Sequence, residues 1–169
     1  SPVTILAGQT KTTITLTINN DSLDEANETV VITLGTPTNA GLGTPSSSTY
    51  TINDDDATPT VSIASNSSGA ESVTPKNVVL TLSAASGLTV TVPFSLSGTA
   101  TARVRADYPA TSSPVTIAAG QTTTTIALTI NNDSLDEANE TVDITLNTPT
   151  NAGLGTPSSS TYTINDDDA

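Results

Sequence analysis

The chain has 169 residues, with 17 acids against 4 Lys and Arg, no His and no Cys, and a formal charge of -13. That balance excludes phosphate neutralisation and hence nucleic acid as a partner. The missing His and Cys exclude disulfides, zinc centres and the usual nucleophile-base pairs of enzymes, and no apolar run approaches the ~18 residues of a membrane span.

An internal repeat sets the domain count. Shifting the sequence by 112 positions lays residues 1–57 onto residues 113–169 with 52 of 57 identical. The exceptions are Leu6/Ala118, Lys11/Thr123, Thr15/Ala127, Val31/Asp143 and Gly35/Asn147. The chain therefore reads as the C-terminal half of one repeat, residues 1–57, followed by a complete repeat, residues 58–169. It opens in mid-repeat without Met or a signal peptide, and reads as a piece of a longer protein.

Residues 1–57 hold only the closing strands of their unit. Half a sandwich exposes an apolar face, so its missing strands are expected either upstream or from another chain. Ala57-Thr58-Pro59 is too short a connection to let one repeat swing freely on the next.

Period-2 alternation dominates the complete repeat and predicts strands over residues 60–65, 77–83, 88–96, 114–118, 122–131, 140–147 and 159–165. It is cleanest in Leu88, Val90, Val92, Phe94 and Leu96, and in Ile126, Leu128 and Ile130, with Thr or Ser mostly between. Thr is β-branched and tolerates water, so one face packs inward while the other stays wet. Aromatics make up 2% of the chain, so the core must be aliphatic. Pro93 cannot donate to a ladder and is expected at an edge or bulge. Ala119-Gly120-Gln121 reads as a tight turn, and residues 151–157, with two Gly and one Pro, as a longer hairpin loop. The fold expected is an all-β sandwich of about seven antiparallel strands, in tandem, with the Ser- and Thr-rich make-up of extracellular proteins.

The acids fall into two clusters per repeat. Each repeat closes on a strand-like stretch ending in three adjacent carboxylates, Asp54, Asp55 and Asp56, then Asp166, Asp167 and Asp168. Each also carries an acidic loop, Asn-Asp-Ser-Leu-Asp-Glu-Ala-Asn-Glu, at residues 20–28 and 132–140. With an odd number of strands running up and down, this loop and the exit of the last strand can share one end. Glu71 and Asp107 lie in other predicted loops. Thus Glu71, Asp107, Asp133, Glu137, Glu140, Asp166, Asp167 and Asp168 can converge on one pole. Calcium takes six to eight hard oxygens at about 2.3–2.6 Å and accepts irregular geometry, which suits such a set better than magnesium. Asp24, Asp136 and Asp143 are expected to be surface charges.

In this order the motifs resemble the Calx-beta repeats of sodium/calcium exchangers, integrin β4 and large bacterial surface proteins. They are Glu71 after the first strand, Gly98-Thr99-Ala100 followed by Asp107-Tyr108, Ala119-Gly120-Gln121-Thr122, the acid loop Asp133-x3-Glu137-x2-Glu140, Asn151-Ala152-Gly153-Leu154-Gly155, and the closing Ile164-Asn165-Asp166-Asp167-Asp168. The resemblance implies an immunoglobulin-like Greek-key sandwich with Ca2+ held where one repeat meets the next. The ligands it implies are the eight acids above with a backbone carbonyl near Leu135. In the partial repeat they would be Asp21, Glu25, Glu28, Asp54, Asp55 and Asp56, with Leu23 as the carbonyl. Two departures lower the expected ion count: Arg103 and Arg105 stand where the family has a shorter Gly-containing link, and Asn20 and Asn132 stand where calcium-rich members carry Asp.

The function expected on this basis is not enzymatic. It is that of a calcium-stiffened tandem repeat in an adhesin, stalk or filament at the cell surface, with neighbouring repeats or identical subunits as partners and any cell-surface ligand bound by other domains. The alternatives are a calcium-sensing regulatory module, or a filament subunit whose half repeat is completed by strands of the next molecule.

Overall fold

The computed structural model describes residues 2–101 and 107–168, and its regular elements are all strands. The chain divides into two compact units. One comprises Ser1–Ser22 with Glu28–Ile52, the other Leu23–Asn27 with Asn53–Ala169.

The first unit contains β1 (Glu28–Thr33) and β2 (Ser47–Ile52), an antiparallel pair with Glu28 opposite Ile52 and Thr33 opposite Ser47. Many of its apolar side chains stay in water, with Ile14 42% and Tyr50 52% exposed, and Val30, Ile32 and Ile52 are only half-buried. The alternation of residues 11–18 therefore yields no strand, because the unit offers nothing for that stretch to pair with.

The second unit contains β3 (Thr60–Ile63), β4 (Ser67–Ala70), β5 (Lys76–Leu82), β6 (Val90–Val92), β7 (Phe94–Ser97), β8 (Val115–Ile117), β9 (Thr123–Leu128), β10 (Glu140–Leu146), β11 (Gly153–Leu154) and β12 (Ser159–Asn165). Two four-stranded sheets, in the orders β4-β12-β10-β7 and β11-β3-β5-β9, enclose the core, and β6 and β8 form a separate pair. Alternate residues point inward from both sheets: Val61, Ile63, Val78, Leu80, Leu82, Ile126 and Leu128 from one, Phe94, Val142, Ile144, Leu146, Tyr162 and Ile164 from the other. At about 25 cal/mol per Å² of apolar surface buried, this aliphatic layer is the main term holding the sandwich together.

The predicted strands are present with three differences. The stretch 88–96 is broken at Pro93: β6 pairs with β8, while β7 pairs with β10 in another sheet. Lacking an N–H, Pro93 contributes its carbonyl to Asn147 N–H at 2.8 Å, and the chain changes sheets there. The second difference is β4, which has no alternation to betray it. It runs parallel to β12, with Ser67 opposite Tyr162 and Ala70 opposite Asn165. Gly69 permits this because a Cβ there would sit 2.5 Å from the Tyr162 hydroxyl. The third is β11: the loop expected over 151–157 contains Gly153 and Leu154, which pair in parallel with Thr60 and Val61 of β3.

Candidate metal centre

The ends of four elements meet at one pole of the second unit. β12 runs out into Asp166, Asp167 and Asp168, and β10, with Glu140 opposite Ile164, begins beside that exit. The parallel pairing of β4 with β12 leads directly to Glu71, whose N–H donates to Asn165 O at 3.2 Å. The loop between β9 and β10 brings Asp133 and Glu137. Asp107 is anchored through its carbonyl, which accepts Asn131 N–H at 2.9 Å, next to the buried Tyr108.

The carboxylates of Glu71, Asp107, Asp133, Glu137, Glu140 and Asp166 line one pocket, with Asn131, Ala138 and Ile164 completing its wall. Carboxylate oxygens of Glu71, Asp133 and Asp168 lie within 4.8 Å of one another. Asp166 Oδ1 and Asp168 Oδ2 are buried without a hydrogen-bond partner. A buried charged oxygen with nothing to bond to is costly, so these atoms call for a cation. The donor set is all oxygen and irregular, which suits a hard ion of the calcium type.

Local hydrogen bonds fix the rest. Asp167 Oδ2 accepts the Ser72 hydroxyl at 2.6 Å, so this acid turns away to the rim. Leu135 donates its N–H to Asp133 Oδ1 at 2.8 Å, closing an Asx turn that shapes the acidic loop. Asp166 N–H is held by Asn139 Oδ1 at 3.1 Å. Asp107 Oδ2 accepts both the N–H and the hydroxyl of Thr101, the latter at 2.9 Å.

The electrostatics are those of crowded carboxylates. Burial raises Glu71, with the charges of Asp133, Asp166 and Asp167 adding to it against a backbone hydrogen bond from Asp133. Desolvation and the neighbouring carboxylates also raise Glu137 and Asp168. Glu140 is pushed from 4.5 to about 7 by burial, by its hydrogen bond to Asp107 and by the charges of Asp107, Glu137 and Glu71. Burial alone would raise Asp107 too, but the hydrogen bonds from Thr101 and Glu140 outweigh it and hold this acid below its ordinary 3.8. Without a cation and below about pH 7, Glu140 therefore keeps a proton and donates it to the Asp107 carboxylate.

The partial repeat reproduces only part of this arrangement. Asp54 N–H is held by Asn27 Oδ1 at 2.8 Å, as Asp166 is by Asn139. Asp21, Glu25 and Glu28 are exposed, Leu23 is half-buried, Asp55 is exposed, and Asp54 and Asp56 are half-buried. Among the described residues, Glu71, Asp133 and Asp168 form the one acidic trio whose oxygens meet, and residues 1–57 contain no counterpart of Glu71 or Asp107.

Two expectations about surface charges are corrected. Asp24 is 8% exposed because its carboxylate accepts the Thr58 hydroxyl at 3.0 Å. Asp143 is half-buried, its Oδ1 accepting the Thr161 hydroxyl across the strand pair at 2.6 Å. Asp136 is exposed. Arg103 and Arg105, expected to lower the ion count, lie outside the described residues. Sequence reading missed the supporting residues Thr101, Ser72 and Asn139; the repeated Asn-Glu pair that opens β10, present also as Asn27-Glu28, was the available signal for the last.

The sequence profile of the Calx-beta domain matches twice, over residues 3–56 and 57–168. No curated protein sequence matches. Among solved structures, the apo-form Calx CBD1 domain is similar at a TM-score of 0.57 and 17% identity, covering 66% of this chain and 100% of that one. The Calx CBD2 domain is similar at 0.55 and 14%, covering 63% and 86%. The structure of CBD12 from CALX1.2 is similar at 0.53 and 18%, covering 60% of this chain and 41% of that one, so the match spans under half of the longer protein. At these identities the likeness is one of fold.

Proposed function

Because the chain belongs to the Calx-beta family, as its two profile matches establish, we propose that it binds calcium at the acidic pole of the complete repeat and serves as a stiffened structural repeat of a cell-surface or extracellular protein. One observation carries the reading: the oxygens of Glu71, Asp133 and Asp168 converge beside the buried, unpartnered Asp166 Oδ1 and Asp168 Oδ2. Asp107, Glu137 and Glu140 line the same pocket and would complete the coordination, with Asp167 at its rim. Calcium supplies the positive charge that lets these carboxylates ionise side by side. The chain's own residues supply the frame, since the ligands would come from the start of β10, the exits of β4 and β12 and two loops, and drawing them together ties those elements to one another.

Extracellular modules bind calcium with Kd of about 10⁻⁴–10⁻³ M. At ~100 times Kd, binding adds about 2.7 kcal/mol to the folded state, large against the few kcal/mol that separate folded from unfolded chains. The near identity of the repeated sequence supports a spacer, in which number and length matter more than individual surfaces. The test is the melting temperature against free calcium. A rise with a midpoint near millimolar supports the stiffener, a midpoint near micromolar supports a sensor module instead, and no rise in a folded sample overturns both.

A second reading is favoured by the exposed apolar side chains of the first unit, Ile14, Leu16 and Tyr50 among them. Strands of another copy would cover them, making the chain a filament subunit. Sedimentation would show association that grows with concentration.

A further inference from the structure

Asp24 behaves unlike the other acids of the chain. It lies in the segment Leu23–Asn27, which packs with residues 53–169 in one compact unit. Its backbone carbonyl accepts Gly87 N–H at 3.0 Å and the Ser86 hydroxyl at 3.1 Å, and its carboxylate accepts the Thr58 hydroxyl at 3.0 Å and approaches Ser86 Oγ at 3.4 Å. Ser86 is 1% exposed and accepts Leu88 N–H at 3.0 Å, so the acid sits in a closed polar socket. Glu25 lies over Gly87 so closely that a Cβ there would meet its side chain at 2.5 Å. Gly is needed at 87 for this contact, not for any unusual φ. A carboxylate is buried at such a place only when donors are arranged to receive it. Here the Thr58 hydroxyl is the donor to the carboxylate, and the single Ser86 proton is shared between the Asp24 carbonyl at 3.1 Å and the carboxylate at 3.4 Å.

The docked pentapeptide Leu-Asp-Glu-Ala-Asn recurs unchanged at residues 135–139, where Asp136 is exposed. The chain thus carries two plugs but one socket, since Thr58, Ser86 and Gly87 lie in the part of the repeat that occurs once. We propose that residues 135–139 form a docking segment for a further copy of the 58–169 repeat, with Asp136 as the anchor received by that copy's Thr58, Ser86 and Gly87 equivalents. The partner is fixed by chemistry: two hydroxyl donors, a free backbone N–H and a residue without a side chain, spaced as in this repeat. A neighbour with a bulky residue at the Gly87 position would be refused. The inference rests on the repeat and on this socket, not on calcium.

The test compares the 169-residue chain with the same chain extended by one more copy of residues 58–169, both in chelator because Glu137 also lines the acidic pocket. Amide hydrogen exchange is read at Gly87 and Leu88 and at their counterparts in the added copy. The expected result is that the counterparts exchange as slowly as Gly87 and Leu88, and that Asp136→Ala speeds them about tenfold, because losing the hydroxyl bonds to its carboxylate undocks the segment whose backbone carbonyl holds the Gly87-type N–H. Asp24→Ala should do the same to Gly87 and Leu88, while Asp136→Ala leaves the melting temperature of the 169-residue chain unchanged. Counterparts that exchange at the same rate with Asp and with Ala at position 136 would overturn the proposal. So would a shift caused by Asp136→Ala in the unextended chain, since that would give Asp136 a role inside its own repeat.

Discussion

Protonation of Glu140 gives the sharpest test of the proposed site, because calcium bound there would compete with that proton for the same oxygens. Glu140 is pushed to about 7 by burial, by its hydrogen bond to Asp107 and by three nearby carboxylates. At pH 8 about nine-tenths of it is ionised and at pH 6 about one-tenth, so an ion that needs the charged form should bind about tenfold more weakly at the lower pH. Glu140 is only half-buried, and solvent screening reduces the effect to about three- to tenfold. Calorimetric titration with calcium at pH 6, 7 and 8, in buffers of low and high ionisation enthalpy, measures both the affinity and the protons released. At pH 6 each bound ion should release a fraction of a proton approaching one, and at pH 8 almost none. Glu140→Gln cannot titrate and should flatten the profile. A wild-type affinity that is level from pH 6 to 8, or an equal slope in the variant, would refute the assignment of the proton.

The same group sets the sign of stability without metal. A carboxyl raised on folding contributes stability that is fully present below its ordinary 4.5 and lost as pH rises through about 7. Glu71, Glu137 and Asp168 are raised and act in the same sense. Asp107 is lowered, and its contribution, present above 3.8, is lost only in stronger acid. The chelated protein should therefore melt at a lower temperature at pH 8 than at pH 5, and calcium should abolish or reverse the difference.

Five substitutions test the frame. Ile126 is fully buried and its counterpart Ile14 is 42% exposed, so Ile126→Ala should cost about 2–5 kcal/mol in denaturant unfolding and Ile14→Ala under ~0.5 kcal/mol. Gly69→Ala places a Cβ 2.5 Å from the Tyr162 hydroxyl and should cost about 1–3 kcal/mol; pairing it with Tyr162→Phe should recover most of that loss, a coupling read by a double-mutant cycle. Gly98 has φ +123° and a Cβ there would lie 2.1 Å from Thr141 O, so Gly98→Ala should lower the melting temperature by several degrees and weaken calcium binding through Thr101 and Asp107.

The pattern of the sequence carried the main strands because inward residues such as Val142, Ile144 and Leu146 alternate with polar ones and the sheets bury one face. It did not reveal β4, whose Ser-Ser-Gly-Ala has no face to bury and exists through the fit of Gly69 to Tyr162. Nor did it reveal that the run through Pro93 serves two sheets, which depends on the partners β8 and β10. At the pole, acids could be gathered from loop positions, but their roles could not be separated. Whether an acid faces the pocket or the rim turns on single donors, such as Ser72 for Asp167 and Thr101 for Asp107.

The two copies make the reason plain, since they are a comparison in which the sequence is nearly constant. Glu28 pairs with Ile52 as Glu140 pairs with Ile164, so the hairpin register is written locally in both. Residues 123–128 form a strand because β5 lies alongside, and their near-copy at 11–16 forms none. Tyr162 is 1% exposed where Tyr50 is 52%, with identical neighbours in sequence. The acids follow the same rule: Asp133 joins Glu71 and Asp168, whereas Asp21 has no Glu71 counterpart to join. Strand formation, burial and the gathering of acids are therefore properties of the whole repeat, and the strands and acids of residues 58–112 turn the repeated half from a hairpin into a sandwich with an acidic pole.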